Sequence, residues 1–200
     1  DRLTARHKIS TASENDTLVV YVAKYLNRKK HSFLLEVLAK LPARFKLVRA
    51  GPALEDRDLV PGLKADQIPM LKQRANALGI GDRVEITHGF VDMVEYLAAA
   101  DVFCFPAQDE GMGTPLLEAL SSGTPVVANA DEPSFGEWII DGENGYLTPL
   151  NAEQWASAVQ AAAEFGETQR KQISQSVKAR ISSDVIDKQY LRLMNKLAET

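Results

Sequence analysis

Short apolar runs alternate with stretches of helical spacing along the first three quarters of the chain. The runs 18–23, 45–50, 83–87, 101–105 and 125–128 are rich in β-branched and aromatic residues and predict strands. Between them the spacing predicts helices over 30–40, 67–78, 92–99 and 115–121, with Asp92 as an N-cap for the third. Gly79 and Gly123 fall where helices should stop. Beyond residue 151 only helical patterns remain, at 152–165, 167–181 and 184–198, broken at Gly166 and at Ser182–Ser183. Strands that alternate with helices argue for βα units around a parallel sheet, the doubly wound α/β class with a helical carboxyl-terminal extension. No internal repeat or low-complexity tract interrupts the pattern.

This alternation gives one edge of the sheet its chemistry. Lys24 follows the first predicted strand, Gly51 the second, Gly89 the third, Glu110 the fourth and Asn129 the fifth. All lie at carboxyl ends of strands, where open α/β sheets bind their ligands. Glu110 and Glu118 bracket a glycine-rich stretch, EGMGTPLLE, between the fourth strand and the next helix. Thr114 has N-cap chemistry, and Pro115 suits a first helical position, where no amide hydrogen is needed. Glu118 is then about one turn into a helix whose opening faces the side of Glu110. Gly111, Met112 and Gly113 form the loop, and glycine permits close backbone approach to a sugar or phosphate. Leu116 and Leu117 offer first-turn amides to an anion. A carboxylate has two acceptor oxygens and no donor, which suits paired hydroxyls. Phosphate plus several hydroxyls describes a nucleotide sugar, although a plain strand-to-helix turn would share the glycines.

Composition narrows the function. With 23 Lys and Arg against 27 Asp and Glu, the net charge of −4 favours neither nucleic acid nor an anionic membrane as partner. The single cysteine, Cys104, lies in an apolar run, which excludes a disulfide framework and suggests a reducing compartment. It reads as a small core residue rather than a nucleophile. No apolar run approaches the roughly 20 residues that span a bilayer.

The segment EGMGTPLLEALSSGTPVVA resembles the signature of retaining GT-B glycosyltransferases of family 4, in which two glutamates eight positions apart run into a small-Gly-x-Pro-Val-Val strand. GDRVEITHGFVDMVEYLAAADVFCFPA (81–107) and FGEWIIDGENGYLTP (135–149) resemble two further blocks of that family, in the family's order. The resemblance covers roughly residues 18–165. It implies one Rossmann-like half of a GT-B fold, with helices on both faces of the sheet, that binds a UDP-, GDP- or ADP-sugar and needs no cofactor. Glu118 would accept bonds from the ribose hydroxyls and Glu110 from hydroxyls of the donor sugar. Lys24 and Lys29, five apart, would face the diphosphate at the positions where the family has an arginine and a lysine. Lysine for arginine keeps the charge and loses a bidentate fork, and Arg28 or Lys30 could share the role; a basic helix start on a solvated face would look similar. Gly51 with Pro52, and Gly89, Phe90 and Val91, would line the nucleobase turns, where Phe90 could either stack on the base or pack inward. The loop 52–65 is longer than the family leads one to expect.

On the same resemblance, residues 1–16 form a polar lead segment and 17–183 the nucleotide-sugar domain. The helix 184–198, within 184–200, would pack on an acceptor domain preceding residue 1. The acceptor would be a saccharide, a lipid-linked molecule or another glycoconjugate. The fragment alone is expected to bind donor without transferring it. The expected location is the cytoplasm, with peripheral attachment of the full-length enzyme to a membrane as a further expectation. A non-catalytic nucleotide-sugar-binding subunit that completes a separate chain is the alternative. His7, His31 and His88 form no set with metal-ligand spacing, so no metal site is expected. Asp131 and Glu132 could suggest a divalent cation, but the family pattern uses basic residues for the diphosphate. Trp138 and Trp155 read as packing residues, and Glu137 matches a family glutamate or simply starts a helix.

Overall fold

A computed structural model describes residues 2–52 and 67–198. Six strands form one parallel sheet: β1 (Thr17–Val22), β2 (Phe45–Gly51), β3 (Val84–His88), β4 (Val102–Phe105), β5 (Val126–Asn129) and β6 (Gly145–Thr148). Their order is β3-β2-β1-β4-β5-β6. The five predicted strands are present within a residue or two, and β6 is an addition at the edge beside β5.

Helices α1 (Arg2–Ile9), α2 (His31–Lys40), α3 (Gln67–Ala77), α4 (Met93–Ala99), α5 (Thr114–Ser121), α6 (Ala152–Ala163), α7 (Glu167–Ile181) and α8 (Ser183–Ala198) cover both faces of the sheet. The core is a continuous apolar layer of the strands' Leu18, Val20, Phe45, Val48, Phe103, Phe105, Val126 and Val127 against helical Leu34, Leu35, Leu116, Leu120, Trp155 and Val159. The central strands β1, β4 and β5 run almost wholly apolar because strands covered on both faces have no wet side, whereas the edge strand β3 is only partly buried and carries Glu85, Thr87 and His88. Asp92 caps α4 by accepting from the Val94 amide at 2.9 Å, and Gly79 and Gly123 end helices at φ of 69° and 80°. Cys104 is buried in β4, and burial pushes its thiol pKa up. Trp155 is wholly buried and donates to the Thr148 carbonyl at 3.2 Å; the Arg180 guanidinium stacks over the Trp138 ring at 4.1 Å.

The polar lead segment is helical in part. Arg6 of α1 is buried and reaches a carboxylate oxygen of Asp101 at 2.7 Å, and that same oxygen accepts the Leu18 amide at 2.7 Å. One carboxylate thus ties α1 to the start of β1 and to the turn before β4. At the other end, α8 has no buried residue. Ile186, Tyr190, Leu191, Leu193, Met194 and Leu197 are all exposed on it, at helical spacing. Among the described residues no helix is long and apolar enough to cross a membrane.

The order turns back on itself between β1 and β4, which lie side by side although β2, β3, α2, α3 and α4 come between them in the chain. The two connections leaving their carboxyl ends must diverge, one to each side, and open a crevice between them. Those connections carry Lys24 to Lys30 and Gln108 to Gly113.

Candidate active site at the strand-order switch

The β1 connection begins with Ala23–Lys24, makes a 3₁₀ turn over Asn27–Lys29 and enters α2 through Lys30. Several buried groups fix its path. The His31 ring is sandwiched between Tyr21 and Tyr25, with centroids at 4.7 and 4.5 Å. Its Nε2 lies 2.9 Å from the Lys24 carbonyl. A carbonyl only accepts, so Nε2 carries the proton and Nδ1 is the bare nitrogen. Burial, together with the Arg49 and Lys29 charges, outweighs the bond to Lys24 and lowers the His31 pKa to about 3. The Tyr21 hydroxyl donates to the Lys29 carbonyl at 2.7 Å, and buried Arg49 donates to the His31 carbonyl at 2.8 Å. Burial lowers the Arg49 pKa to about 10, so it is cationic at neutral pH beneath the loop.

The β4 connection approaches from the other side. Gln108 donates its amide to the Arg28 carbonyl at 2.8 Å, which joins the two loops by their backbones. Glu110 accepts from Arg28 Nη1 at 2.7 Å, and the Lys29 ammonium bonds the same oxygen. The Lys29 ammonium also sits 5.5 Å above the centre of the Phe105 ring, and both the Lys29 and Glu110 side chains are only 11% exposed. Lys30 and Asp109, with φ of 52° and 55°, are the non-glycine residues of positive φ among the described residues. Each stands next to one member of the Lys29–Glu110 pair. Such conformations cost about 1–3 kcal/mol each and persist where surrounding contacts impose them.

Gly113 is also left-handed, at φ 72°, and a Cβ there would sit 2.7 Å from the Phe135 ring. It caps α5. Thr114 is therefore the first helical residue and not the N-cap, and Pro115 is the second. The prediction slipped by one because Gly113 supplies by conformation what a Thr cap would supply by a side-chain bond. A second correction concerns Leu116 and Leu117, whose amides both donate to the Gly113 carbonyl, at 2.8 and 3.4 Å. They are not available to an anion. The amides of Gly111, Met112, Gly113 and Thr114 have no acceptor among the described residues. Glu118 is exposed in the middle of α5, and Met112 is exposed on the loop.

Around the β2 and β3 ends, Gly89 donates its amide to the Gly51 carbonyl at 3.0 Å, so the two turns meet. Gly51 has φ 151°, and a Cβ there would lie 2.1 Å from the Ala23 carbonyl oxygen. Only glycine lets β2 pass that close to the β1 connection. Phe90 is 92% exposed, which removes the inward-packing alternative, while Val91 packs partly on the core. Lys24 is exposed at the same edge. The long loop 52–65 lies, apart from Pro52, outside the described residues. No group of three or more His, Cys, Asp or Glu side chains among the described residues could hold a metal ion.

Two residues contribute more than their place in the sequence suggests. Arg28, expected only as a stand-in for the lysines, bonds Glu110 directly. Glu132 has no expected role beyond a possible cation, yet its carboxylate accepts the amides of Asp109 at 2.7 Å and Glu110 at 3.2 Å.

A six-stranded parallel sheet in this order is a Rossmann-like α/β fold, and cations and a carboxylate gather at its switch point. Residues 4–179 match the family model described as glycosyl transferases group 1, and the chain belongs to that family. The lipopolysaccharide core biosynthesis glycosyltransferase LpsE of Rhizobium meliloti is 31% identical over 157 residues, 78% of this chain and 42% of its own. Among solved structures, sucrose-phosphate synthase from Thermosynechococcus elongatus aligns with 98% of this chain at a TM-score of 0.80 and 25% identity. HepE of Anabaena, solved in complex with UDP and glucose, aligns with 91% at a TM-score of 0.76 and 23% identity. The chain spans 49% of each of those two structures. The chain thus has the Rossmann-like α/β fold found in one half of GT-B glycosyltransferase structures.

Proposed function

We propose that this chain is the donor-binding half of a retaining family 4 glycosyltransferase. It binds a UDP-, GDP- or ADP-sugar, and the enzyme transfers the sugar to a saccharide, lipid-linked or other acceptor held by a second domain. The observation that carries this reading is the convergence of Lys29 and Arg28 on Glu110 at the strand-order switch. A diphosphate leaving group gains negative charge as the glycosidic bond breaks. Fixed cations beside it are worth more in the transition state than in the ground state. In this reading Lys29, with Lys24 and Arg28 near it, takes the diphosphate and no metal is required. Glu110 accepts bonds from the donor sugar, and Glu118 accepts the ribose hydroxyls. The four open amides from Gly111 to Thr114 suit phosphate or sugar oxygens. Gly51, Phe90 and Val91 border the base, and exposed Phe90 offers a stacking face.

The binding of UDP and glucose to HepE, a relative in fold, is consistent with this assignment. The exposed apolar stripe of α8 suits packing on the acceptor domain. Alone, this half would bind donor and not transfer it. Within the full-length enzyme a cytoplasmic site, with peripheral attachment to a membrane, fits the lipopolysaccharide role of LpsE. Thermal-shift screening of the 200-residue chain against UDP-, GDP- and ADP-sugars tests the donor assignment. Stabilisation by one nucleotide class is the expected result, and no shift with any class at millimolar concentration would overturn it.

A further inference from the structure

We infer that Glu132 is the positioning residue for Glu110, a latch that holds the backbone of the β4 connection in the conformation that presents the Glu110 carboxylate. The inference rests on the donor-binding reading above for its functional consequence, but the latch itself is a matter of geometry. Asp109 is left-handed, at φ 55°. Two successive amides beside such a residue turn toward one side of the chain and make a concave pair of donors, which seeks an anion. Here the anion is internal. The two oxygens of Glu132 take one amide each, Asp109 at 2.7 Å and Glu110 at 3.2 Å.

Glu132 is itself held in place from β5. Buried Asn129, the last residue of that strand, donates to the Ala107 carbonyl at 3.3 Å and accepts the Asp131 amide at 3.2 Å. The Glu132 amide donates to the Asn129 carbonyl at 3.3 Å. The turn that delivers the carboxylate and the loop that receives it are therefore built from neighbouring strand ends. On the opposite side Arg28 Nη1 donates to the Asp109 carbonyl at 3.1 Å and to Glu110 Oε1 at 2.7 Å. The strained residue before Glu110 is thus gripped from both sides, its amide by Glu132 and its carbonyl by Arg28. Without Glu132 the left-handed conformation of Asp109 loses its main compensation. The Glu110 side chain would then sample orientations away from Lys29.

Amide hydrogen exchange on the ligand-free 200-residue chain tests the latch directly. Glu132→Ala should speed exchange at Asp109 and Glu110 at least tenfold while leaving the β4 amides of Phe103 and Phe105 slow. Glu132→Gln keeps one acceptor oxygen, so one of the two loop amides should stay protected; a purely steric role would leave both equally protected. In the full-length polypeptide, with UDP-, GDP- and ADP-sugars as donors, Glu132→Ala should lower kcat about as much as Glu110→Gln with KM within twofold. The double variant should be no slower than the slower single, because both changes remove the same presented carboxylate. Unchanged exchange in Glu132→Ala would overturn the latch. Faster exchange with wild-type kcat would overturn its role in presenting Glu110. Wild-type turnover in Glu110→Gln would instead sink the donor-binding role of Glu110, with the latch still read by exchange.

Discussion

Arg28 Nη1 lies 2.7 Å from the Glu110 oxygen that also receives the Lys29 ammonium, so one carboxylate faces two cations from consecutive positions. The two cations are not equivalent. Arg28 is 43% exposed and also bonds the Asp109 carbonyl, whereas the Lys29 side chain is 11% exposed, its ammonium over Phe105. Exposed charges are screened and partly buried ones much less. Lys29→Ala in the full-length enzyme should therefore lower turnover by on the order of a hundredfold or more. Arg28→Ala should cost roughly tenfold or less, since its exposed pair contributes about 1 kcal/mol or less. Steady-state kinetics, with activity retained in chelator, check both statements. Abolition by chelator would defeat the metal-free assignment.

Glu118 is expected to serve the nucleotide and Glu110 the sugar. Glu118 is exposed and carries no bond from its carboxylate to another described residue, so it is open to a ligand and cheap to remove. Glu118→Ala should weaken binding of the free nucleoside diphosphate by about tenfold or more, from the loss of about 1.5–3 kcal/mol of charge-assisted bonding, without lowering the melting temperature. Glu110→Gln should leave that binding nearly intact and lower transfer. Calorimetry with UDP and GDP separates the two, and equal affinity for wild type and Glu118→Ala would refute the ribose contact.

Gly51 offers a test on the folding side. With φ at 151° and the Ala23 carbonyl oxygen 2.1 Å from where a Cβ would stand, there is no room for a side chain. The obstacle is backbone, which cannot swing aside as a side-chain tip would. Gly51→Ala should destabilise the chain by about 2–4 kcal/mol. Gly89→Ala, with φ 110° and open space around it, should cost less, from backbone strain alone. Denaturant midpoints for the two variants give the comparison.

The strands, most helices and the sheet edge where the candidate site residues gather were legible because they are local facts of spacing. Buried parallel strands leave uninterrupted apolar runs, and alternation with helices sends every β-to-α connection to one edge. What escaped was non-local. Helix α1 is mostly polar, with Leu3, Ala5 and Ile9 its apolar residues, and its register rests on Arg6 meeting Asp101, 95 positions away. Strand β6, GYLT, is four residues long and begins with a glycine. That glycine is required because a Cβ would lie 2.0 Å from the Val126 carbonyl, a contact invisible until the sheet is assembled. The α5 cap moved from Thr114 to Gly113 because a left-handed glycine competes with a Thr cap, and spacing does not decide between them. Glu132 sits 22 positions from Glu110, and nothing in the local spacing of Asp131 and Glu132 shows that the fold turns one of them onto backbone amides.

The buried His31 gives the β1 connection a defined response to acid. Its folded pKa is about 3, against 6.5 for an unhindered imidazole, with burial the largest cause. Between those two values the unfolded chain binds a proton at this residue and the folded chain does not, so acid favours unfolding. The contribution of the neutral ring is fully present above pH 6.5 and is lost as pH falls toward 3. Over roughly pH 6.5 to 4 that loss should reach about 3 kcal/mol, since each unit corresponds to about 1.4 kcal/mol. His31→Gln removes the titration while keeping an amide N–H that can still reach the Lys24 carbonyl. The variant should be less stable than wild type at neutral pH, through lost stacking on Tyr21 and Tyr25, yet lose less stability on acidification. Urea denaturation of both proteins at about pH 7, 5.5 and 4 gives the two slopes. Carboxylates elsewhere titrate in both proteins and cancel in the difference, so parallel slopes would show that His31 takes up its proton in the fold as readily as in the unfolded chain.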